Sequence, residues 1–263
     1  MRVTVRLLRM WKAVALATML CACGAKLADD SSNHNGVVDA AQNPLVDSAV
    51  VIDPDAGTTN PDAGTTAIKR VVYLNFTGVT LTKGPSDATT NTASWLYQAT
   101  TGTAPPYAGG AQGISTITSG VTSRLTGIAT VVTARPAAGP YVMVVYGGTK
   151  ADTHSFFATA VNELDCGDLR KSDVAWIADG VDPTSAIDTT MGAIGFGLGL
   201  SSVNSSSDCM CSWADNCQRS GACSLRNAAL RDQNVGTNPN TGTPQICPGN
   251  RQDEITVFMT AFQ

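Results

Sequence analysis

The chain has 263 residues, a formal net charge of −4 and only 14% charged residues. That length fits one large domain or two small ones. Lysines and arginines are scattered apart from a cluster at the N-terminus, which excludes the one-faced basic patch of a nucleic-acid binder.

Residues 1–22 have the parts of an export signal. Arg2, Arg6, Arg9 and Lys12 form a positive start, and Ala13 to Leu20 form an apolar core too short to span a bilayer. The run Leu20-Cys21-Ala22-Cys23-Gly24 then resembles a bacterial lipobox. Leu20 stands three positions before Cys23, and the small Ala22 just before it; Cys21 fits poorly, because Leu20 is too large to precede the cut. The resemblance implies lipidation of Cys23 and a membrane anchor, firm once several acyl chains contribute about 0.8 kcal/mol per buried CH₂. With Gly24 rather than an acidic residue after the cysteine, it also implies the outer membrane or cell surface. The alternative is plain secretion after cleavage near Ala22.

Residues 23–67 read as a tether. "DPDAGTT" at 53–59 is repeated as "NPDAGTT" at 60–66, a composition that buries too little surface to fold. Asp53, Asp55 and Asp62 lack the ligand spacing of a calcium loop, and His34 reads as an exposed tether residue.

Residues 68–263 have globular patterning. "VVYLNF" at 71–76 predicts a buried strand. A loop with Trp95, Tyr97 and "TGTAPPYAGG" follows. Ile114, Ile117, Val121, Leu125 and Ile128 recur at helical spacing. "ATVVTAR" at 129–135, "YVMVVYGG" at 141–148 and "DVAWIAD" at 173–179 predict three more strands. Asp182, Pro183, Thr184 and Ser185 carry helix-start chemistry, and the helix is expected to run on into "MGAIGFGLGLSSVNSSSDCM", residues 191–210. "NRQDEITVFMTAFQ" predicts a closing helix with Ile255, Phe258, Met259 and Phe262 on one face. The fold class is α/β (α+β): a mixed sheet with two main helices over 68–200 and an irregular, cysteine-rich part over 201–263.

Export sets the redox compartment. Cys166, Cys209, Cys211, Cys217, Cys223 and Cys247 form an even set, so up to three disulfides are expected. Six cysteines allow fifteen pairings. A cysteine metal cluster is the alternative.

The stretch 191–210 carries the functional question. Gly192, Gly195, Gly197 and Gly199 would together cost a helix about 3–4 kcal/mol relative to alanine, so packing must hold the segment. The order of glycine-ended helix, Gly-Leu bend and "SDCM" resembles the metzincin zinc peptidases, whose H-E-x-x-H-x-x-G-x-x-H helix is followed by a methionine turn. The resemblance covers roughly residues 69–263 and implies a metzincin-like mixed sheet. With Gly199 as the motif glycine, the histidine positions fall on Gly192, Phe196 and Ser202 and the general-base position on Ala193. Asp208 and Met210 fall on the methionine turn, with Asp208 expected to brace it. The chemistry needs zinc-binding histidines and a carboxylate that takes a proton from water; glycine, alanine and phenylalanine supply neither. The chain has only two histidines, His34 and His154, so three histidine ligands are impossible in any register. No catalytic residue, metal or cofactor is expected.

Other chemistries are weaker. There is no G-x-S-x-G elbow, and "GGTK" at 147–150 lacks phosphate-loop spacing. Glu163, Asp165 and Asp168 around Cys166 read as a solvated loop rather than a carboxylate pair for glycoside hydrolysis. The expectation is therefore a surface-anchored lipoprotein with a catalytically inactive, metallopeptidase-like domain. Its role would be structural or binding, with a peptide or polysaccharide ligand in the former cleft and edge-strand pairing as one mode. The alternatives are a hydrolase using His154 and nearby carboxylates, and a purely architectural spacer.

Overall fold

A computed structural model describes residues 69–211, 217–229 and 246–263. The chain divides into units 1–61 and 62–263, and every described residue belongs to the second. The export signal, Cys23, the tether and His34 lie outside the described residues. No helix among those described is long and apolar enough to cross a membrane.

The central sheet is built from β1 (Val71–Asn75), β5 (Thr130–Val132), β6 (Tyr141–Tyr146), β8 (Val174–Ile177) and β7 (Ala160–Val161), in the order β5-β1-β6-β8-β7. The first four are parallel, and β7 pairs antiparallel at the edge. β6 and β8 are unbroken apolar runs buried along their whole length, as strands covered on both faces must be. One face, with Val72, Leu74, Val144, Tyr146 and Ile177, packs on helices α1 (Gly110–Arg124) and α3 (Pro183–Gly197). The other face carries Tyr73, Met143, Val145 and Trp176. It is covered by Leu81, Trp95 and Leu96 from the region of a small sheet of β2 (Val79–Lys83), β3 (Thr92–Ala93) and β4 (Thr101–Ala104). The buried indoles of Trp95 and Trp176 each donate to a backbone carbonyl, of Val174 and Gly147, so burying them leaves no polar group unmet.

The mixed α/β class with two fifteen-residue helices agrees with the sequence pattern. Several details are corrected. The stretch around Trp95 and "TGTA" is not loop alone; it contributes β2, β3 and β4. In β4 exposed Thr101 and Thr103 alternate with buried Gly102 and Ala104, side chains too small to register as an apolar period. β5 covers only Thr130–Val132 of the expected 129–135. α3 stops at Gly197, so Gly199 and all that follows lie outside it.

The closing helix, α4 (Glu254–Ala261), turns a different face inward. Glu254, Phe258 and Phe262 are buried, while Ile255 and Met259 are 45% and 41% exposed. A single turn, α2 (Lys150–Thr153), and the pair β9 (Asn227–Ala229) with β10 (Arg251–Asp253) complete the elements.

All six cysteines considered are bridged, as Cys166–Cys247, Cys209–Cys223 and Cys211–Cys217, which removes the metal-cluster alternative. The Cys166–Cys247 link spans 81 residues; closing a loop of that length in the unfolded chain contributes about 4–5 kcal/mol in the chain-entropy account.

Candidate functional site

α3 starts where its chemistry says it should. Asp182 accepts from the backbone of Thr184 and Ser185, and Pro183 fills the first helical position. Its end is a Schellman motif. Gly199, at φ +84, donates to the Phe196 carbonyl, and Leu200 donates to that of Gly195. Glycine is required there twice over, by the left-handed backbone and because the Asp165 carbonyl lies 2.7 Å from where a Cβ would stand.

Beyond this bend the chain returns under the helix. Asp208 Oδ1 accepts from Met210 N at 2.8 Å, and Cys211 N donates to the Asp208 carbonyl at 3.1 Å. The turn is pressed onto the glycine face of α3. A Cβ on Gly192 would stand 2.9 Å from the Cys209 carbonyl oxygen, and one on Gly195 would collide with Met210 Sδ. Ser202 is fully buried; its Oγ donates to the Met210 carbonyl, which also accepts from Val203 N.

Of the four positions singled out, Gly192 and Ser202 thus meet at the turn 209–210. Ala193 is buried, and its carbonyl accepts from Asn162 Nδ2 at 2.9 Å. Phe196 packs half-buried against the core, and its carbonyl also accepts from Asp165 N. These residues do not fit zinc. Gly192, Ala193 and Phe196 have no donor side chain, and the Ser202 hydroxyl is engaged by the turn. A histidine at 192 would also require the backbone of Cys209 to move.

Two groups of charges surround this arrangement. The acidic loop read as solvated is instead an ion-pair network. Arg70 reaches Asp168 at 2.7 Å and Asp173 at 3.0 Å. Arg170 lies 3.2 Å from Glu163 and 3.6 Å from Asp165, and Lys171 lies 2.7 Å from Asp168. Asp165, Asp168 and Asp173 converge closely enough to share one cation, and the arginines already fill that role. Burial pushes the Asp173 carboxyl up to about 7, against the pull of Arg70. Sequence reading missed Arg70 and Asp173; an arginine directly before a strand of buried residues was the available signal.

The second group ties the turn to α4. Glu254 is fully buried, accepts from Arg226 N and Gln252 Nε2, and is pushed up to about 8 by burial and by the nearby Asp208 charge. Burial raises Asp208 too. Its Oδ2 makes no hydrogen bond among the described residues and has Arg226 Nε 3.7 Å away. Gln252 grips Ser201 through both backbone groups at 2.8 Å, and Ser201 Oγ accepts from Cys247 N. A glutamate four and eight positions before Phe258 and Phe262 was the sequence signal for an inward carboxyl.

His154 stands apart from all of this. It is exposed, caps α2 in the left-handed conformation, and its carbonyl accepts from Tyr97 N. Asp152 beside it is engaged by Thr149, and Ser155 Oγ is buried without a hydrogen-bond partner among the described residues. The three do not form a relay.

No family model matches the chain, and neither a curated protein nor a solved structure does.

Gly192→Ala is expected to lower the thermal midpoint. Replacing a helix glycine by alanine ordinarily stabilises by about 1 kcal/mol. Here the added methyl meets a backbone carbonyl that cannot swing aside, and overpacking of that kind costs about 1–3 kcal/mol. A midpoint equal to or above that of the parent protein would show that the turn is not pressed on the helix.

Stability should also fall as pH rises from 5 to 8. Unfolded, Glu254 and Asp173 ionise near 4.5 and 3.8; folded, they hold their protons to about 8 and 7. Between those limits the folded state binds more protons than the unfolded chain, so their contribution is full below the unfolded values and is lost as pH climbs through the folded ones. Asp152 and Asp182, held low by their hydroxyl partners Thr149 and Ser185, act only at the acid end. The midpoint is expected to be at least ~3 °C higher at pH 5 than at pH 8. Glu254→Gln should flatten that slope in scanning calorimetry.

Proposed function

We propose that this chain is an exported, lipid-anchored protein whose metzincin-like domain has given up metal chemistry and serves as a non-catalytic structural or binding module of the cell envelope. The observation that carries the reading is the contact between α3 and the turn 208–211. Helix, Schellman bend and the Asp208–Met210 turn follow one another in the order that the resemblance implies, and the turn lies against the helix. At each of the four chemical positions the side chain is absent, apolar or committed to bracing the turn. Three disulfides fit an oxidising, extracytoplasmic compartment.

Pairing of an extended peptide to the sheet edge gains little support. β7 offers two residues, and directly after it Asn162 and Asp165 are bonded to carbonyls of α3. The role proposed is therefore presentation of a rigid domain on a tether rather than peptide capture in a former active-site groove.

Purified mature protein should carry zinc far below one ion per chain by mass spectrometry and should leave denatured casein intact. Stoichiometric zinc together with chelator-sensitive cleavage would overturn the non-catalytic reading. In envelope fractions from a bacterial host that lipidates exported cysteines, the protein should sediment with membranes. Cys23→Ser should move it to the soluble extracytoplasmic fraction; a membrane-bound variant would refute the lipid anchor.

A further inference from the structure

A cavity of about 1050 Å³ opens along the N-terminal half of α3, between that helix, α1 and the cysteine-rich segment 219–225. It is large enough for a small organic ligand. Its apolar walls include Ile128, Ile187, Met191 and Leu225. Its polar side is organised around two arginines that differ in one respect.

Arg124 is spent on the fold. It donates to the Cys223 carbonyl and to Asp188 Oδ1, and Asp188 Oδ2 in turn accepts from Cys223 N. That set locks α1, α3 and the Cys209–Cys223 bridge together. Arg219 has no such engagement. Among the described residues it makes no hydrogen bond and no ion pair, and its Nε is buried without a partner. Burial holds its guanidinium below the usual arginine range, with Asp188 too far to form a contact pair but close enough to oppose the shift. A partly desolvated guanidinium with its Nε unpaired gains from a counter-charge, and an anion entering the cavity would supply one. Both arginines and Asp188 line the cavity, so among the described residues its lining carries one net positive charge, which one negative head group would match.

We propose that this cavity binds a small amphipathic anion, a carboxylate or phosphate monoester on an apolar body, with Arg219 donating to the charged head and the body lying between Ile128, Ile187 and Met191. The site goes beyond the non-catalytic reading of the turn and does not rest on it. It uses no residue of the metal-ligand positions.

Titration calorimetry on the full disulfide-bonded domain tests it, with octanoate, octyl phosphate and the neutral octanol as probes. Either anion should bind at least about tenfold more tightly than octanol, the contribution of a charge-assisted hydrogen bond. The stronger of the two identifies the head group. Arg219→Gln should erase the preference while leaving the circular dichroism spectrum unchanged. Ser123→Trp, a bulky change on the exposed α1 wall of the cavity, should weaken all three probes and keeps the test valid should Arg219→Gln fail to fold. Equal binding of octanol and both anions, an unchanged preference in Arg219→Gln, or no binding of either anion at millimolar concentration would each overturn the proposal.

Discussion

Close approach between the glycine face of α3 and the turn 208–211 is the constraint on which the rest of the second half of the chain depends. Side chains on Gly192 and Gly195 would push the turn away by the width of a methyl group or more. Without that distance closed, Ser202 could not donate to the Met210 carbonyl, nor could Cys209 hold both its bridge to Cys223 and its place against the helix. The glycines weaken the helix intrinsically. They are tolerated because the segment is buried on almost every side and takes its stability from tertiary contact.

Apart from Asp208 Oδ2, the polar groups that the turn brings inside find hydrogen-bond partners from three directions among the described residues. Asp208 meets the Met210 amide, Gln252 meets both backbone groups of Ser201, and Glu254 meets Arg226 and Gln252. These bonds fix the start of α4 and its register, so that Phe258 and Phe262 fall on the core. With Glu254 and its i+4 partners turned inward, Ile255 and Met259 fall on the neighbouring stripe and stay outside. A buried carboxyl with good partners thus overrides the apolar pattern in deciding which face turns in.

The large elements were legible because their patterns were strong. β1, β6 and β8 are dense β-branched runs, α1 repeats its apolar residues at helical spacing, and Asp182-Pro183 announces α3. The small sheet was not legible, since Thr101–Ala104 pairs through backbone bonds with side chains too small to mark a period. The acidic loop misled for another reason. Its partner Arg70 lies about a hundred positions away, and nothing local reveals that Asp173 is buried behind it. The bend at Gly199 and the Asp208–Met210 brace were readable from motif order alone. The engagement of Ser202 by the turn was not, because a serine hydroxyl has no directional signature in sequence.

In the proposed reading, losing a metal leaves a mechanical question. A metal joined to three side chains cross-links a helix to the segment that follows it, and its loss should loosen both. Here that cross-link has covalent and hydrogen-bonded substitutes. Cys166–Cys247 ties the loop lying against Gly199 to the C-terminal segment that bonds Ser201. Cys209–Cys223 joins the turn to the Arg124–Asp188 lock on both helices. Ser202 supplies the last link at the third histidine position. Unlike a metal site, these connections need no deprotonated ligands and hold without an ion. A domain fastened in this way has no structural reason to retain histidines. The small residues Gly192 and Gly195 stand where the turn presses on the helix, and packing alone accounts for them.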